Sequence, residues 1–250
     1  MSRLAVLSDI HFDVHHPQAW ALTLKMLPEL NLDRIFLLGD IVDFEPFTRF
    51  DLPPDRRLLL QQELDCAIRE FRKLRKAMPE AVIEFIDGNH ERHLNREIFK
   101  HPALYGVDKL SIPSLLDLKN FDIQWIKSHP PKKIGKLLFL HGDEIKVGGQ
   151  YPARNLYLKV SGNVLAGHFH RADLYLHRLA DGSVHGSWIN PCLRSLNPIW
   201  QPFSQWHLGF TVVEFSGGGF FHVEQVIFLK RGHSLWASIG GKTYSSGAGV

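Results

Sequence analysis

Five short apolar runs in this sequence each stop in a cluster of Gly, Asp, Asn or His. "RLAVL" runs into Ser8-Asp9-Ile10-His11, and "RIFLL" into Gly39-Asp40 with Asp43 three residues later. "VIEFI" leads to Asp87-Gly88-Asn89-His90, "KLLFL" to His141-Gly142-Asp143, and "NVLA" to Gly167-His168-Phe169-His170. Runs of this length, largely apolar and partly β-branched, read as strands bound for a core. Helical-period segments separate several of them, and that alternation predicts an α/β fold. In an open α/β sheet the strands' carboxyl ends share one edge, and ligands bind there. The pattern therefore predicts one polar site assembled from five distant segments. In extended chain, residues two apart point the same way, so Asp9 with His11, and His168 with His170, are each expected to converge on one point.

Between the strands, "PQAWALTLKMLPEL" predicts a short helix with Pro17 near its start. The longest predicted helix begins near Pro53-Pro54 and runs to about Met78, where Pro79 stops it. Leu64, Ala67, Phe71, Leu74 and Met78 form its apolar face, and Arg69, Arg72, Lys73, Arg75 and Lys76 a basic one. The last third reads as mostly β, with hairpins about Ala-Asp-Gly and Ser-Gly-Gly-Gly. No repeat or linker interrupts the chain. One domain is expected over residues 1–240, with 241–250 as a flexible Gly/Ser-rich tail.

Composition narrows the function classes. A hydrophobic content of 44% with 22% charged residues is that of an ordinary soluble globular protein. The net charge of +3 admits an anionic substrate without demanding nucleic acid. Cys66 and Cys192 lie far apart and form no CxxC pair, which argues against a disulfide framework or a structural zinc site. The N-terminus is too short in apolar residues and too quickly charged for a signal peptide, and no apolar stretch reaches membrane-spanning length. A cytoplasmic protein with no membrane partner is expected.

"DIH", "GDIVD", "GNHE", "HGD" and "GHFH", in that order across residues 9–170, resemble the five motifs of the calcineurin-like metallophosphoesterases. The resemblance implies a two-sheet β-sandwich flanked by helices, with two divalent metal ions roughly 3.5–4 Å apart at the strand ends. By position, Asp9, His11 and His170 would hold one ion, Asn89, His141 and His168 the other, and Asp40 would bridge them. Carboxylate, imidazole and amide oxygen suit Mn²⁺, the first expectation, with Fe, Zn²⁺ or Mg²⁺ as alternatives. The implied reaction is hydrolysis of a phosphate ester by a metal-bridging hydroxide, with His90 as proton donor to the leaving group. Asp43 would orient His90; its alternative is a helix N-cap or loop carboxylate.

Departures from the family pattern bear on substrate. The family's protein serine/threonine phosphatases extend "GDxVD" with Arg-Gly and place an arginine before "GNHE". Here those positions hold Phe44-Glu45 and Asp87, so a phosphodiester of nucleotide type is the expected substrate. Arg92 and Arg154 are candidate substrate contacts; Glu91, and alternatively Arg92, are read as members of a buried structural pair. Phe12, Phe44, Phe47 and Phe169 either stack on a nucleobase or line the core. The alternatives are a DNA or RNA nuclease, with "HPPKKIGK" and the long helix as a basic stripe, a phosphomonoesterase, and a catalytically silent scaffold of the same fold. The C-terminal third, with "NPIW" and "LGFTVVEF", is similar to a bacterial and phage branch of the family and carries no assigned chemistry. "GGKTY" lacks the context of a phosphate-binding loop.

Overall fold

All five apolar runs become strands in the structure, a computed structural model that describes residues 2–49, 59–146 and 149–247. In chain order the strands are β1 (Ser2–Leu7), β2 (Arg34–Leu38), β3 (Val82–Ile86), β4 (Ile123–Ile126), β5 (Lys132–Ile134), β6 (Leu137–Leu140) and β7 (Val164–Ala166). Then follow β8 (Asp173–Arg178), β9 (Val184–Ile189), β10 (Gly209–Phe215), β11 (Phe221–Ile227), β12 (Leu229–Arg231), β13 (Ser234–Ile239) and β14 (Lys242–Ser245). The α-helices are α1 (Pro17–Met26), α2 (Leu60–Ala77), α3 (Glu91–Lys100), α4 (Ile112–Leu115) and α5 (Pro152–Val160).

One sheet has the order β11-β10-β1-β2-β3-β4, parallel from β1 to β4 and antiparallel at β10 and β11. The second has the order β5-β6-β7-β9-β8, with β6, β7 and β9 parallel. Strand alternation sorts the side chains into layers. Leu4, Val6, Phe36, Leu38 and Ile86 pack with Leu137, Phe139 and Leu165 between the sheets. Phe36 and Phe139 meet edge to face at 5.2 Å. Ala5, Leu7, Ile35, Leu37, Ile83 and Phe85, on the opposite face, pack with Trp20 of α1 and Leu64, Phe71 and Leu74 of α2. On the second sheet Val164, Ala166 and Ile189 pack with Ala153 and Leu156 of α5. Each such fully buried side chain stabilises the fold by about 1.5–3 kcal/mol. The architecture is the expected two-sheet sandwich flanked by helices.

Two expectations need adjustment. Helix α2 begins at Leu60, where Leu59 N–H donates to the Gln62 side chain at 3.1 Å; Pro53-Pro54 lie outside the described residues. Residues 242–245 of the expected flexible tail form β14, paired with β13. Gly240 and Gly241 both have positive φ (58° and 75°), which suits a two-residue hairpin turn, and Leu235, Ala237, Ile239 and Tyr244 are buried in the core that includes α1. Gly240 and Gly241 mark a turn, and residues 248–250 of the expected tail lie outside the described residues. Along the expected basic stripe Arg69, Arg72, Lys73, Lys76, Lys133 and Lys136 are exposed, whereas Lys132 and Arg75 are tied down. Lys132 pairs with Glu84 at 3.0 Å, and Arg75 donates to the carbonyls of Phe121, Ala81 and Asp122. Among the described residues, no helix is long and apolar enough to cross a membrane.

Candidate metal centre

The carboxyl ends of β1, β2 and β3 meet those of β6 and β7, and there the chain turns sharply. Asp9, His11, Asp40, His168 and His170 have φ of 52°, 51°, 53°, 69° and 58°. Non-glycine residues in this region cost about 1–2 kcal/mol each. That strain persists only where surrounding structure over-determines it, and it concentrates at functional sites. Backbone bonds hold the turns: Asp9 N–H donates to Gly39 O at 3.0 Å and His11 N–H to Asp40 O at 3.2 Å. Glu91, fully buried at the start of α3, accepts from the amides of Asp40, Ile41, Val42 and Gly88 at 2.8–3.0 Å. One carboxylate thereby ties the β2 turn to the β3 turn. Burial, then the Asp40 charge, pushes its carboxyl up to about 7. Gly88 has no room for a side chain, since a Cβ would lie 2.2 Å from Asp40 Oδ1.

These turns bring two ligand-capable groups together: Asp9, His11, Asp40 and His170, and Asp40, His141 and His168. Within each, the ligand atoms all lie within 4.8 Å of one another, and Asp40 belongs to both. His141 Nδ1–H donates to Leu38 O at 2.9 Å, which turns Nε2 toward Asp40 Oδ2 (3.1 Å) and Asn89 Oδ1 (3.2 Å). His11 Nε2 faces His170 Nε2 at 3.4 Å, and His170 Nε2 lies 3.2 Å from Asp9 Oδ1. Lone pairs converging in this way require positive charge between them. Protons supply some of it in the metal-free chain: burial opposes the imidazolium of His141, yet Asp40 and Asp9 hold it well above the ordinary range. Burial also works against ionised Asp40, but His141 and His90 take its carboxyl well below the usual carboxylate range. The donor set, imidazole and carboxylate with one amide oxygen and no thiolate, fits hard or borderline divalent ions.

Asp43 is the hinge of the polar network. It accepts from His11 Nδ1, and His90 Nδ1 lies 2.8 Å from the same Oδ1. A carboxylate on Nδ1 fixes the tautomer and leaves Nε2 for a metal or substrate. The two imidazoles nevertheless differ in charge. Burial lowers His11 to about 4, with Asp43 opposing and Arg194 reinforcing. For His90 burial is overcome by Asp40 and then Asp43, and the ring is pushed up to about 10. His90 Nε2 lies 3.8 Å from Asp40 Oδ2 on the half-buried, open side of the cluster, with Asn89 and His168.

The sequence model of the calcineurin-like phosphoesterases matches residues 2–234. The chain belongs to the calcineurin-like phosphoesterase family. Among solved structures it is similar to Vps29 of Entamoeba histolytica, at 13% identity and TM-score 0.43, over 97% of this chain and 96% of that one. It is also similar to vacuolar protein sorting 29 of Cryptosporidium parvum, at 9% identity and TM-score 0.42, over 98% and 95%. A search of curated protein sequences finds no match. Family membership together with the buried His/Asp cluster supports a hydrolase with a two-ion divalent centre.

Against the family pattern, Asp9, His11, Asp40, Asn89, His141, His168 and His170 all come together, with His90 and Asp43 beside them. The expectation that His168 and His170 converge on one point is corrected: they fall in separate groups, at a turn whose backbone is not extended (φ 69° and 58°). Glu91 binds four amides instead of a cation. Arg92 pairs with Asp143, and with Asp87 at 3.3 Å. Arg154 stands on the exposed face of α5, and no hydrogen bond or ion pair among the described residues joins it to the cluster. Phe12 and Phe44 are fully buried in the helix-side core, whereas Phe47 and Phe169 are half-buried. Three participants escaped sequence reading. Arg194 lies 3.2 Å from His11 Nδ1 and 3.7 Å from Asp43 Oδ1. Asn190 donates to Ser8 Oγ, which donates to Asp9 Oδ2 at 2.6 Å. The Trp206 ring stands 4.4 Å from that of His170. For Asn190 alone a signal was present, since it follows the strand-like "SVHGSWI" directly as a polar residue.

Proposed function

We propose that this protein hydrolyses phosphodiesters of nucleotide type at a two-ion centre, with Mn²⁺ as the working metal. Asp9, His11 and His170 would hold one ion, Asn89, His141 and His168 the other, with Asp40 shared. When bound, such ions neutralise charge on phosphoryl oxygens and lower the pKa of water toward about 7. The chain's own residues supply the rest. Asp43 fixes the His11 and His90 rings through Nδ1, and Ser8 does the same for the Asp9 carboxylate. His90, kept protonated by Asp40 and Asp43, presents its Nε2–H on the open side and gives that proton to the leaving alkoxide.

The preference for diesters rests on one observation about charge. Two arginines beside the cluster are already engaged with carboxylates: Arg194 with Asp43, and Arg92 with Asp87 and Asp143. At the positions where the family's protein phosphatases carry phosphate-gripping arginines, Phe44 is core and Asp87 is buried, accepting from Ser128 N–H at 3.1 Å. A dianionic monoester finds no spare guanidinium there, whereas a diester carries one charge fewer. The test compares p-nitrophenyl phosphate, bis-p-nitrophenyl phosphate, cyclic nucleotides and single-stranded DNA on Mn²⁺-reconstituted protein. Preference for the small diesters is expected. A strong monoester preference overturns the reading, and a preference for DNA with steep salt dependence replaces it with a nuclease.

A further inference from the structure

Between β9 and β10 the segment 195–207 leaves the second sheet and runs past the metal cluster. It is closed at its neck, where the Asn197 side chain accepts from Ser204 N–H at 3.2 Å and Ser204 Oγ at 3.0 Å. Its end is pinned by His207 N–H on His170 O, at 2.9 Å, and Cys192 N–H on His207 O, also at 2.9 Å. This ordered loop places large apolar side chains in water: Ile199 is 78% exposed, Trp200 63% and Phe203 92%. Trp200 meets Trp206 edge-on at 5.5 Å, and Trp206 in turn meets His170 at 4.4 Å. A continuous series of rings thus leads from a candidate metal ligand to the surface.

Beneath this edge lies a cleft of ≈ 500 Å³ lined by Arg171, Ala172, Ser204, Gln205, Trp206 and His207. The Arg171 guanidinium donates to Gln205 Oε1 at 3.0 Å and to Gln150 O, and among the described residues no carboxylate pairs with it. Exposed apolar groups beside a cleft with a few convergent polar groups mark a ligand site. The cleft's volume is that of a small molecule, within the usual range of about 300–1,000 Å³, rather than of a protein partner.

We propose that this cleft is a nucleobase subsite, in which the Trp206 ring, braced edge-on by Trp200, stacks on the flat face of the base and Arg171 and Gln205 meet its polar edge. Indole and base stack through apolar π faces, while guanidinium and amide offer the donors and acceptor that a base edge needs. A nucleoside lying there presents its phosphate to the His170 side of the cluster. The inference rests on the phosphodiesterase reading for the phosphate's position, but not for the cleft itself.

Two substrates with the same leaving group isolate the contact: thymidine 5′-(p-nitrophenyl phosphate) and methyl p-nitrophenyl phosphate, on the Mn²⁺-loaded protein. The ratio of their kcat/KM values should favour the nucleoside ester and fall roughly tenfold in Trp206→Ala, in line with the loss of one stacked base. Arg171→Met should lower the same ratio. If both variants lower the two rates together and leave the ratio intact, the loop is structural and the proposal fails. Equilibrium dialysis of metal-free protein against AMP and ribose 5-phosphate gives a second readout. Tighter AMP binding that disappears in Trp206→Ala supports the subsite, and equal binding of the two by the wild type overturns it. Absence of turnover on either diester, with AMP discrimination retained, defeats the hydrolase reading and leaves the subsite standing.

Discussion

The inner wall of the site and its rim are built on opposite principles. The wall gathers Asp9, His11 and Asp40 on left-handed turns locked by backbone bonds and by Glu91, with His141 beside them, all but excluded from water. The rim, residues 195–207, is one loop closed at its neck by a single asparagine, with its largest side chains in solvent. Strain and burial at the wall fix atoms where charge must be placed. Exposed rings at the rim cost little to change and bear on what is admitted. Chemistry and selection are therefore separable in this molecule, and substitutions should divide them.

The wall should break most completely at Gly88. Gly88→Ala drives a Cβ into Asp40, and we expect loss of bound Mn²⁺ by elemental analysis, with phosphoesterase activity at background. A variant that keeps both equivalents of metal would show the wall to be softer than its geometry implies. Next in size, His90→Ala should lower kcat by roughly two to four decades, the scale of acid–base groups, with metal content unchanged. Wild-type turnover would remove His90 from the reaction.

Asp43→Asn should act more mildly and with a signature in pH. A proton donor is active below its pKa, so activity is lost as pH rises through it. Asp43 helps raise His90, and its loss should move that alkaline limb to lower pH. A profile that drops in height without moving would assign Asp43 to His11 alone. The smallest effect lies behind the wall, at Glu63 of α2. Burial, then the charges of Asp13 and Asp43, raises its carboxyl from 4.5 to about 9. The folded chain then holds this proton more tightly than the unfolded one, so its stabilising contribution is full at low pH and is lost as pH rises toward 9. Glu63→Gln should flatten that decline in Tm measured on metal-free protein; an unchanged slope would place the pH dependence elsewhere.

Much of this was legible in the order of residues. The two-residue alternation of Leu4-Ala5-Val6-Leu7 and Ile35-Phe36-Leu37-Leu38 reports which side chains face which layer, because a strand's period is local. Motifs that follow a strand directly, such as Asn89-His90 after β3, inherit its position at the sheet edge. What the tertiary structure alone decided depends on contacts between distant segments or on φ. His168 and His170 part company at a turn whose φ values no periodicity encodes. Arg194 meets Asp43 across more than half of the chain, and Trp206 meets His170 across two strands and a loop. Lys242–Ser245 becomes a strand because β13 offers it an edge and α1 a surface to cover. Local pattern sets where a strand ends; the packing of two sheets sets what its last residues meet.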